Sequence, residues 1–272
     1  MSLWVIGSGL SAVCLRRESG MRITSCGMTD VGVKRTRNED TFLINENLKL
    51  FICCDGMGGH VGGEYASAIA VNTIEEVLAG VQREDAVVST DDSIDLSGES
   101  LRYAVRLAGR RIYEKAIEEP EYRGMGTTCL VLMLDNSNAY LAHVGDSRGY
   151  RLREGTIEQL TEDHSLVNER IRAGLLTVEE AKTHRLKNII TRSLGYMEDV
   201  EVDVSVHPIH TSDRFVLCSD GLSNLVDDDE IGELVAAHCP QESARRLISL
   251  ACDRGGDDNI TVVIVSINEH TQ

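Results

Sequence analysis

Three aspartates stand at the ends of apolar runs beside glycines, a setting that suits a carboxylate for holding a cation. Phe51-Ile-Cys-Cys-Asp55-Gly56-Met57-Gly58-Gly59-His60 passes abruptly from apolar residues to an acid and a glycine-rich turn. Phe215-Val-Leu-Cys-Ser-Asp220-Gly221 repeats the pattern, and Gly255-Gly256-Asp257-Asp258-Asn259 precedes the apolar run 260–267. A short buried strand delivers each carboxylate at its tip, and glycine lets the backbone come close. Singly, an Asp-Gly pair is an ordinary turn. Several together describe one shared oxygen-lined site, and without obvious His or Cys partners the donors favour Mg2+ or Mn2+ over zinc. Two such ions sharing a bridging carboxylate can hold a hydroxide between them and stabilise an in-line displacement at phosphorus.

The elements that must position these acids follow from periodicity. Strands are expected over 21–29, 41–45 and 48–54, with a dense charged turn, Val33-Lys34-Arg35-Thr36-Arg37-Asn38-Glu39-Asp40, between the first two. Ala66, Ile69, Ala70, Ile74, Val77 and Leu78 fall at helical spacing over 64–78, and Leu101, Ala104, Val105, Ala108 and Ile112 do so over about 100–118. The acidic, Ser-rich stretch 82–98 between them reads as a surface loop. A hairpin is expected over 127–134 and 139–144, turning at Asp135-Asn136-Ser137-Asn138, and another over 149–153 and 156–160. Residues 161–195 change character: they are charged, with short helical pieces and a capping box at Thr177-Val178-Glu179-Glu180, and read as an insertion over the site. Strands at 199–207 and 213–219, helices at about 228–238 and 241–252, and a last strand complete the chain. Strands interrupted by helices without regular β-α-β alternation give an α+β fold, antiparallel sheets covered by helices in one domain.

Composition narrows the function classes. The chain has 272 residues, 42% of them hydrophobic, enough for a substantial core. With 44 acidic against 27 basic residues the net charge is −17, which repels a phosphate backbone and argues against nucleic-acid binding. The 8 cysteines contain no C-x-x-C pair, and Cys53, Cys54, Cys129, Cys218 and Cys252 lie among apolar neighbours, as small buried hydrophobes of a reducing cytosol do. Residues 1–15 are mostly apolar but carry Arg16-Arg17 after the run rather than before it, the wrong order for a secretory signal and too short for a membrane span. Residues 1–20 are therefore read as an extension of uncertain order, with Met21 an alternative start.

Taken together, the motifs Arg35-x-x-Asn38-Glu39-Asp40, Asp55-Gly56-Met57-Gly58-Gly59-His60, Gly126-Thr127-Thr128, Val144-Gly145-Asp146-Ser147-Arg148, Ile190-Thr191-Arg192-Ser193-Leu194-Gly195, Cys218-Ser219-Asp220-Gly221-Leu222 and Gly256-Asp257-Asp258-Asn259-Ile260-Thr261 are informative in a way no one of them is. In order and approximate spacing the chain resembles the bacterial branch of the metal-dependent PPM/PP2C protein serine/threonine phosphatases, over about residues 21–268.

The resemblance implies a four-layer α-β-β-α sandwich, two mainly antiparallel sheets flanked by helices, with metals in a cleft at one edge. It implies that Asp55 bridges two Mn2+ or Mg2+ ions, that the Gly56 carbonyl binds one of them, and that Asp220 and Asp258 complete the other. Asp146 matches an aspartate that, with the equivalent of Asp220, binds a third ion in bacterial members. Glu39 and Asp40 are expected to orient waters on the metals, and Arg35 to grip the substrate phosphate through its bidentate fork, with Arg37 a solvated neighbour. Residues 161–195 correspond to the family's flap, in which His184-Arg185 replaces a common His-Pro. Met57 departs from the eukaryotic pattern, where a histidine protonates the leaving oxygen; a thioether cannot, which leaves that role to a metal-held water rather than to His60. The implied reaction is hydrolysis of phosphoserine or phosphothreonine in proteins, without a phosphoenzyme, by a cytoplasmic monomer opposing a serine/threonine kinase. The alternative is a catalytically silent phosphoprotein-binding domain, which would have lost a metal aspartate.

Overall fold

In a computed structural model, residues 3–5, 11–14, 21–58, 62–85, 96–135 and 137–269 are described. Strands β1 (Leu3–Val5) and β2 (Ser11–Cys14) precede β3 (Met21–Asp30), β4 (Thr41–Asn45), β5 (Leu50–Cys54) and the two-residue β6 (Gly56–Met57). Helices α1 (Gly62–Asp85) and α2 (Leu96–Glu118) follow, then β7 (Gly126–Thr127), β8 (Cys129–Leu134), β9 (Asn138–Val144), β10 (Arg148–Arg153) and β11 (Thr156–Gln159). Short helices α3 (Leu166–Arg172) and α4 (Val178–Lys182) lead to β12 (Asp203–Pro208) and β13 (Arg214–Cys218). Helices α5 (Asp220–Ser223), α6 (Asp228–Ala237) and α7 (Pro240–Asp253) then lead to β14 (Ile260–Glu269).

Strands run in the order β1-β4-β5-β8-β9-β12 in one sheet and β11-β10-β13-β14-β3-β2 in the other. Each pairing within them is antiparallel. Side chains alternate between faces, so each strand feeds two cores. On β5, Ile52 and Cys54 turn outward to Ala66, Ala70 and Ile74 of α1 and Leu101 and Val105 of α2. Phe51 and Cys53 of the same strand turn inward, where with Leu130 and Leu132 they share a core with Phe215, Leu217, Val263 and Val265 of the facing sheet. The outer face of that second sheet is covered by Ile231, Val235, Leu247 and Ala251 of α6 and α7. Helix, sheet, sheet, helix is the expected four-layer sandwich. Cys26, Cys53, Cys54, Cys129 and Cys218 are buried free thiols within these layers, Cys252 is half-buried, and Cys239 is exposed.

Both expected hairpins form, β8–β9 and β10–β11. The stretch 82–98 is less of a loop than its composition suggests: α1 continues to Asp85 and α2 begins at Leu96, while 86–95 lie outside the described residues. A helix already nucleated by a packed face extends through polar residues at little cost, which composition alone does not register. Within residues 1–20, where no strand was expected, β1 pairs with β4 and β2 with β3, each adding an edge to a sheet.

Candidate active site

Each sheet presents its acids at the same edge. Asp55 follows β5, and its backbone is gripped from β7 and the residue after it: its amide donates to Thr128 Oγ1 at 2.8 Å, and its carbonyl accepts from Thr127 Oγ1 at 2.9 Å and the Thr128 amide at 2.8 Å. Gly126-Thr127-Thr128 thus aims the Asp55 carboxylate without touching it. Gly56 has no room for a side chain, since a Cβ would sit 2.2 Å from the Gly63 carbonyl and 2.4 Å from that of Glu39. Only glycine fits between these two carbonyls.

From the opposite sheet, Asp220 opens α5 directly after β13, and Asp258 lies just before β14. Asp220 Oδ2 accepts from Asn224 Nδ2 at 3.0 Å, while its Oδ1 is buried and, among the described residues, makes no well-formed hydrogen bond. Asp258 Oδ2 accepts from Arg35 Nη2 at 2.6 Å and its Oδ1 from the Asn259 amide at 2.8 Å. Asp40, 7% exposed, lies beneath these two. Its Oδ2 takes hydrogen bonds from Thr261 Oγ1 at 2.6 Å and Ser219 Oγ at 2.8 Å, and its Oδ1 is left without a partner among the described residues.

Asn259 organises the charged turn. Its Oδ1 accepts the Glu39 amide at 2.8 Å, and its Nδ2 donates to the Arg37 carbonyl at 2.8 Å and the Val31 carbonyl at 3.0 Å. Asn38 continues the scaffold, giving Nδ2 to Thr29 Oγ1 at 2.7 Å and accepting the Asp40 amide at 3.1 Å.

A cleft of about 1130 Å3 gathers Arg35, Glu39, Asp55, Gly56, Asp220 and Asp258. Arg37 and Met57 also line it, as do Asn188, Ile190, Thr191, Ser193 and Tyr196 from the far side. Asp146 does not open on this cleft. It lines a neighbouring cavity of about 920 Å3 that shares Asp220 and Asn188 with the cleft and also contains Asp163, Asn224 and Asp228. His60 lies outside the described residues.

The electrostatics of this edge are severe. Burial, reinforced by Asp40, Asp220, Asp146 and Asp258, pushes the Asp55 carboxyl well above the carboxylate range. Burial raises Asp146 to about 8 and Asp40 to about 7, the latter against two hydroxyl hydrogen bonds that favour its charge. Burial also raises Asp220, with Asp258 adding to it, and Glu39. Carboxylates crowded out of water without matching cations favour either protons or a metal.

The residues present fit such a group. The donors are oxygens throughout, and among the described residues the buried Oδ1 atoms of Asp40, Asp146 and Asp220 lack hydrogen-bond partners, which a cation or its waters would supply. Among the described residues no three His, Cys, Asp or Glu side chains form a ready-made cage. Water and backbone oxygens would complete the coordination, as is ordinary for Mg2+ and Mn2+.

Sequence reasoning grouped the acids but gave no role to the residues that hold them. Thr128, Ser219, Asn259 and Thr261 lie inside the quoted motifs, and their polar side chains beside strand ends were the available signal. Tyr196 and Asn188 carried none; only folding brings them to the cleft.

A sandwich that brings acids from both sheets to one edge, with an arginine among them, suits a cation and an anionic substrate. Comparison with known proteins is specific. The profile of the family "Protein phosphatase 2C" matches residues 24–260, and the chain belongs to that family. Serine/threonine phosphatase stp of Listeria welshimeri is 40% identical over 244 residues, covering 88% of this chain and 94% of that protein. Protein phosphatase PhpP of Streptococcus pneumoniae is 39% identical over 246 residues, covering 89% and 96%. The crystal structure of the Mycobacterium tuberculosis serine/threonine phosphatase PstP/Ppp superposes with a TM-score of 0.81 at 35% identity, covering 91% of this chain and 99% of that one. A PstP catalytic domain in complex with two manganese ions gives a TM-score of 0.79 at 34% identity, covering 92% and 100%.

Proposed function

We propose that this chain is a metal-dependent protein serine/threonine phosphatase that hydrolyses phosphoserine and phosphothreonine without a phosphoenzyme. The observation that carries this reading is the convergence of buried, unneutralised carboxylates from both sheets on a cleft that also holds Arg35. Asp55, the Gly56 carbonyl, Asp220 and Asp258 would hold two ions, and Asp146 with Asp220 a third. When bound, Mn2+ or Mg2+ supplies Lewis acidity and lowers the pKa of water.

The chain's own residues do the rest. Arg35 exchanges its Asp258 partner for the phosphate, whose oxygens match the guanidinium fork. Asp40, fixed through Oδ2 by Ser219 and Thr261, presents Oδ1 as the atom that orients water for in-line attack. Glu39 lines the cleft beside it and assists. Water is the nucleophile, because the nearby thiols of Cys53 and Cys54 are fully buried and burial holds them well above the range in which a thiolate forms. Met57 lines the cleft but has no proton to give.

The substrates are phosphorylated proteins, the products of a serine/threonine kinase, met in the cytoplasm by a monomer that binds neither nucleic acid nor membrane. Among the described residues no helix is long and apolar enough to cross a membrane. The silent-domain alternative has no observation in its favour, since Asp55, Asp220 and Asp258 all reach the cleft.

The test is phosphate release from a phosphothreonine peptide with Mn2+, with EDTA, and with Asp220→Asn in parallel. The expected result is turnover that needs metal and falls about 10^2- to 10^3-fold in the variant. A folded parent protein with no turnover in Mn2+ or Mg2+ would move the reading to the silent domain.

A further inference from the structure

His164 belongs to Thr161-Glu162-Asp163-His164-Ser165, at the start of the flap, and the reaction proposed above gives it no role. It is 6% exposed, and all of its polar groups are engaged. Its backbone amide donates to the Gly145 carbonyl at 2.8 Å, and its carbonyl accepts the Thr191 amide at 2.8 Å. The Gly145 amide donates to its Nδ1 at 3.0 Å. An amide N–H requires a lone pair at Nδ1, so the ring proton resides on Nε2, which donates to Asp203 Oδ2 at 3.1 Å. Asp203 Oδ1 in turn accepts from Arg192 Nη1 at 3.0 Å.

Three parts of the molecule therefore meet at this residue, the Gly145 turn and Asp203 on its ring and Thr191 on its backbone carbonyl. Gly145 immediately precedes Asp146. Thr191 and Arg192 begin the flap's return, and Thr191 lines the catalytic cleft. Asp203 opens β12 at the edge of the sheet. The two feet of the flap are also joined by a bridge between Ser165 and Ile190 and by the Leu166 amide on the Ile189 carbonyl at 2.8 Å. Gly145, at φ +113, is packed closely on Thr128, the residue that grips Asp55: a Cβ there would fall 2.6 Å from it, so only glycine fits this turn.

The ring of His143 closes the arrangement on the other side, its centroid 4.8 Å from that of His164 at a tilt of 32°. Burial, reinforced by His164, lowers His143 to about 3 and keeps its ring neutral, and among the described residues its ring nitrogens make no well-formed hydrogen bond. It acts as a buried flat surface. His164, in contrast, carries directional bonds through both ring nitrogens.

We propose that His164 is a positioning residue of the phosphatase, its ring fixing through Gly145 the placement of Asp146, and through Asp203 and Arg192 the flap wall of the cleft that its backbone carbonyl also holds at Thr191. The proposal rests on the reading of Asp146 as a metal-holding acid. His164 touches no reacting atom; it sets where Asp146 and Thr191 stand relative to each other.

The experiment compares His164→Ala, His164→Gln, His143→Phe, Asp146→Asn and the His164→Ala/Asp146→Asn pair in the full chain. Mn2+ binding is followed by titration calorimetry, hydrolysis by kcat and KM on a phosphothreonine peptide, and folding by melting temperature. The expected result is that His164→Ala weakens, about 10- to 100-fold, the Mn2+ step that Asp146→Asn removes, with a matching fall in kcat. The double variant should be no worse than Asp146→Asn, because one acts through the other. Glutamine, which keeps an acceptor and a donor, should recover most of the loss, and His143→Phe should resemble the parent.

Unchanged Mn2+ binding in folded His164→Ala overturns the proposal, as do losses that multiply in the double variant. An equal loss in His143→Phe also overturns it, by showing that only packing matters. If His164→Ala does not fold, His164→Gln against His143→Phe decides on the same criteria. Parent-like Mn2+ binding by Asp146→Asn would instead remove the reading of Asp146 beneath the proposal, an outcome that His164→Ala alone cannot mimic.

Discussion

Asp40, which does not open on the cleft but lies buried under its lining as a floor, and Leu175 on the flap show how differently two regions are held. Asp40 is 7% exposed, and its one bonded oxygen is fixed by hydroxyls that lie 179 and 221 residues away in the chain. Leu175 is 73% exposed, and its amide bonds within its own segment, to the Arg170 carbonyl. The floor is built from long-range polar contacts in a dry setting, where an unmade hydrogen bond is costly. The flap tip is built from local turns and caps, such as the Thr177–Glu180 capping box, and stays in water. Chemistry that needs fixed charges sits on the first kind of structure. Variation in what is recognised is cheapest on the second.

The sharpest way to break this contrast is Asn259→Ala, which strands the Glu39 amide and the carbonyls of Val31 and Arg37 at once. The expected loss is about 3 kcal/mol of stability, read by denaturant unfolding, with a fall in activity of about 10- to 100-fold as Glu39 and Asp40 lose their register. Near-parent values would mean that the floor is no more interdependent than the flap.

A pH profile sharpens the comparison at intermediate size. Asp40 at about 7 and Asp146 at about 8 lie above the ordinary 3.8, so the folded protein keeps protons that the unfolded chain releases. Stability they contribute is fully present below about pH 4 and lost as pH rises through about 8. Without metal, the melting temperature should fall between pH 5.5 and pH 8, and saturating Mn2+ should flatten or reverse the fall by replacing the protons. Exposed acids such as Glu230, held near 2 by Arg254, act only below this window. A flat metal-free profile would show the floor acids to be no more strained than surface ones.

The smallest effect belongs to the flap. Leu175→Ser should change unfolding free energy by no more than about 0.5 kcal/mol and leave hydrolysis of a small phosphate ester as it was. A larger change in either would make the tip part of the machinery.

The same contrast explains what could be read without coordinates. Asp55, Asp220 and Asp258 announced themselves because apolar run, acid and glycine is a local pattern, and the helical stripes over 64–78 and about 100–118 because they are local too, but not the further turns that carry α1 to Asp85 and start α2 at Leu96. The roles of Asn259 and Thr128 were illegible, since a side chain that bonds residues 220 or 73 positions away leaves no trace in its neighbours. Asp146 was legible as an acid after a strand, but not the fact that it faces a second cavity across Asp220. Edge strands in 3–5 and 11–14 escaped because three or four residues carry too little periodicity to register.

The position of β14, between β13 and β3, has a consequence for how the molecule is made. Thr29 on β3 bonds to Thr261 on β14 across 232 residues, so β3 leaves the ribosome long before its partner exists. Until then the edge of β3 that β14 will take has no partner, and neither Asp258 nor the Asp40 clasp on Thr261 is in place. A nascent chain is therefore held without its catalytic edge through most of its synthesis, and sheet closure, the pairing of greatest sequence separation, is expected to set the pace of folding.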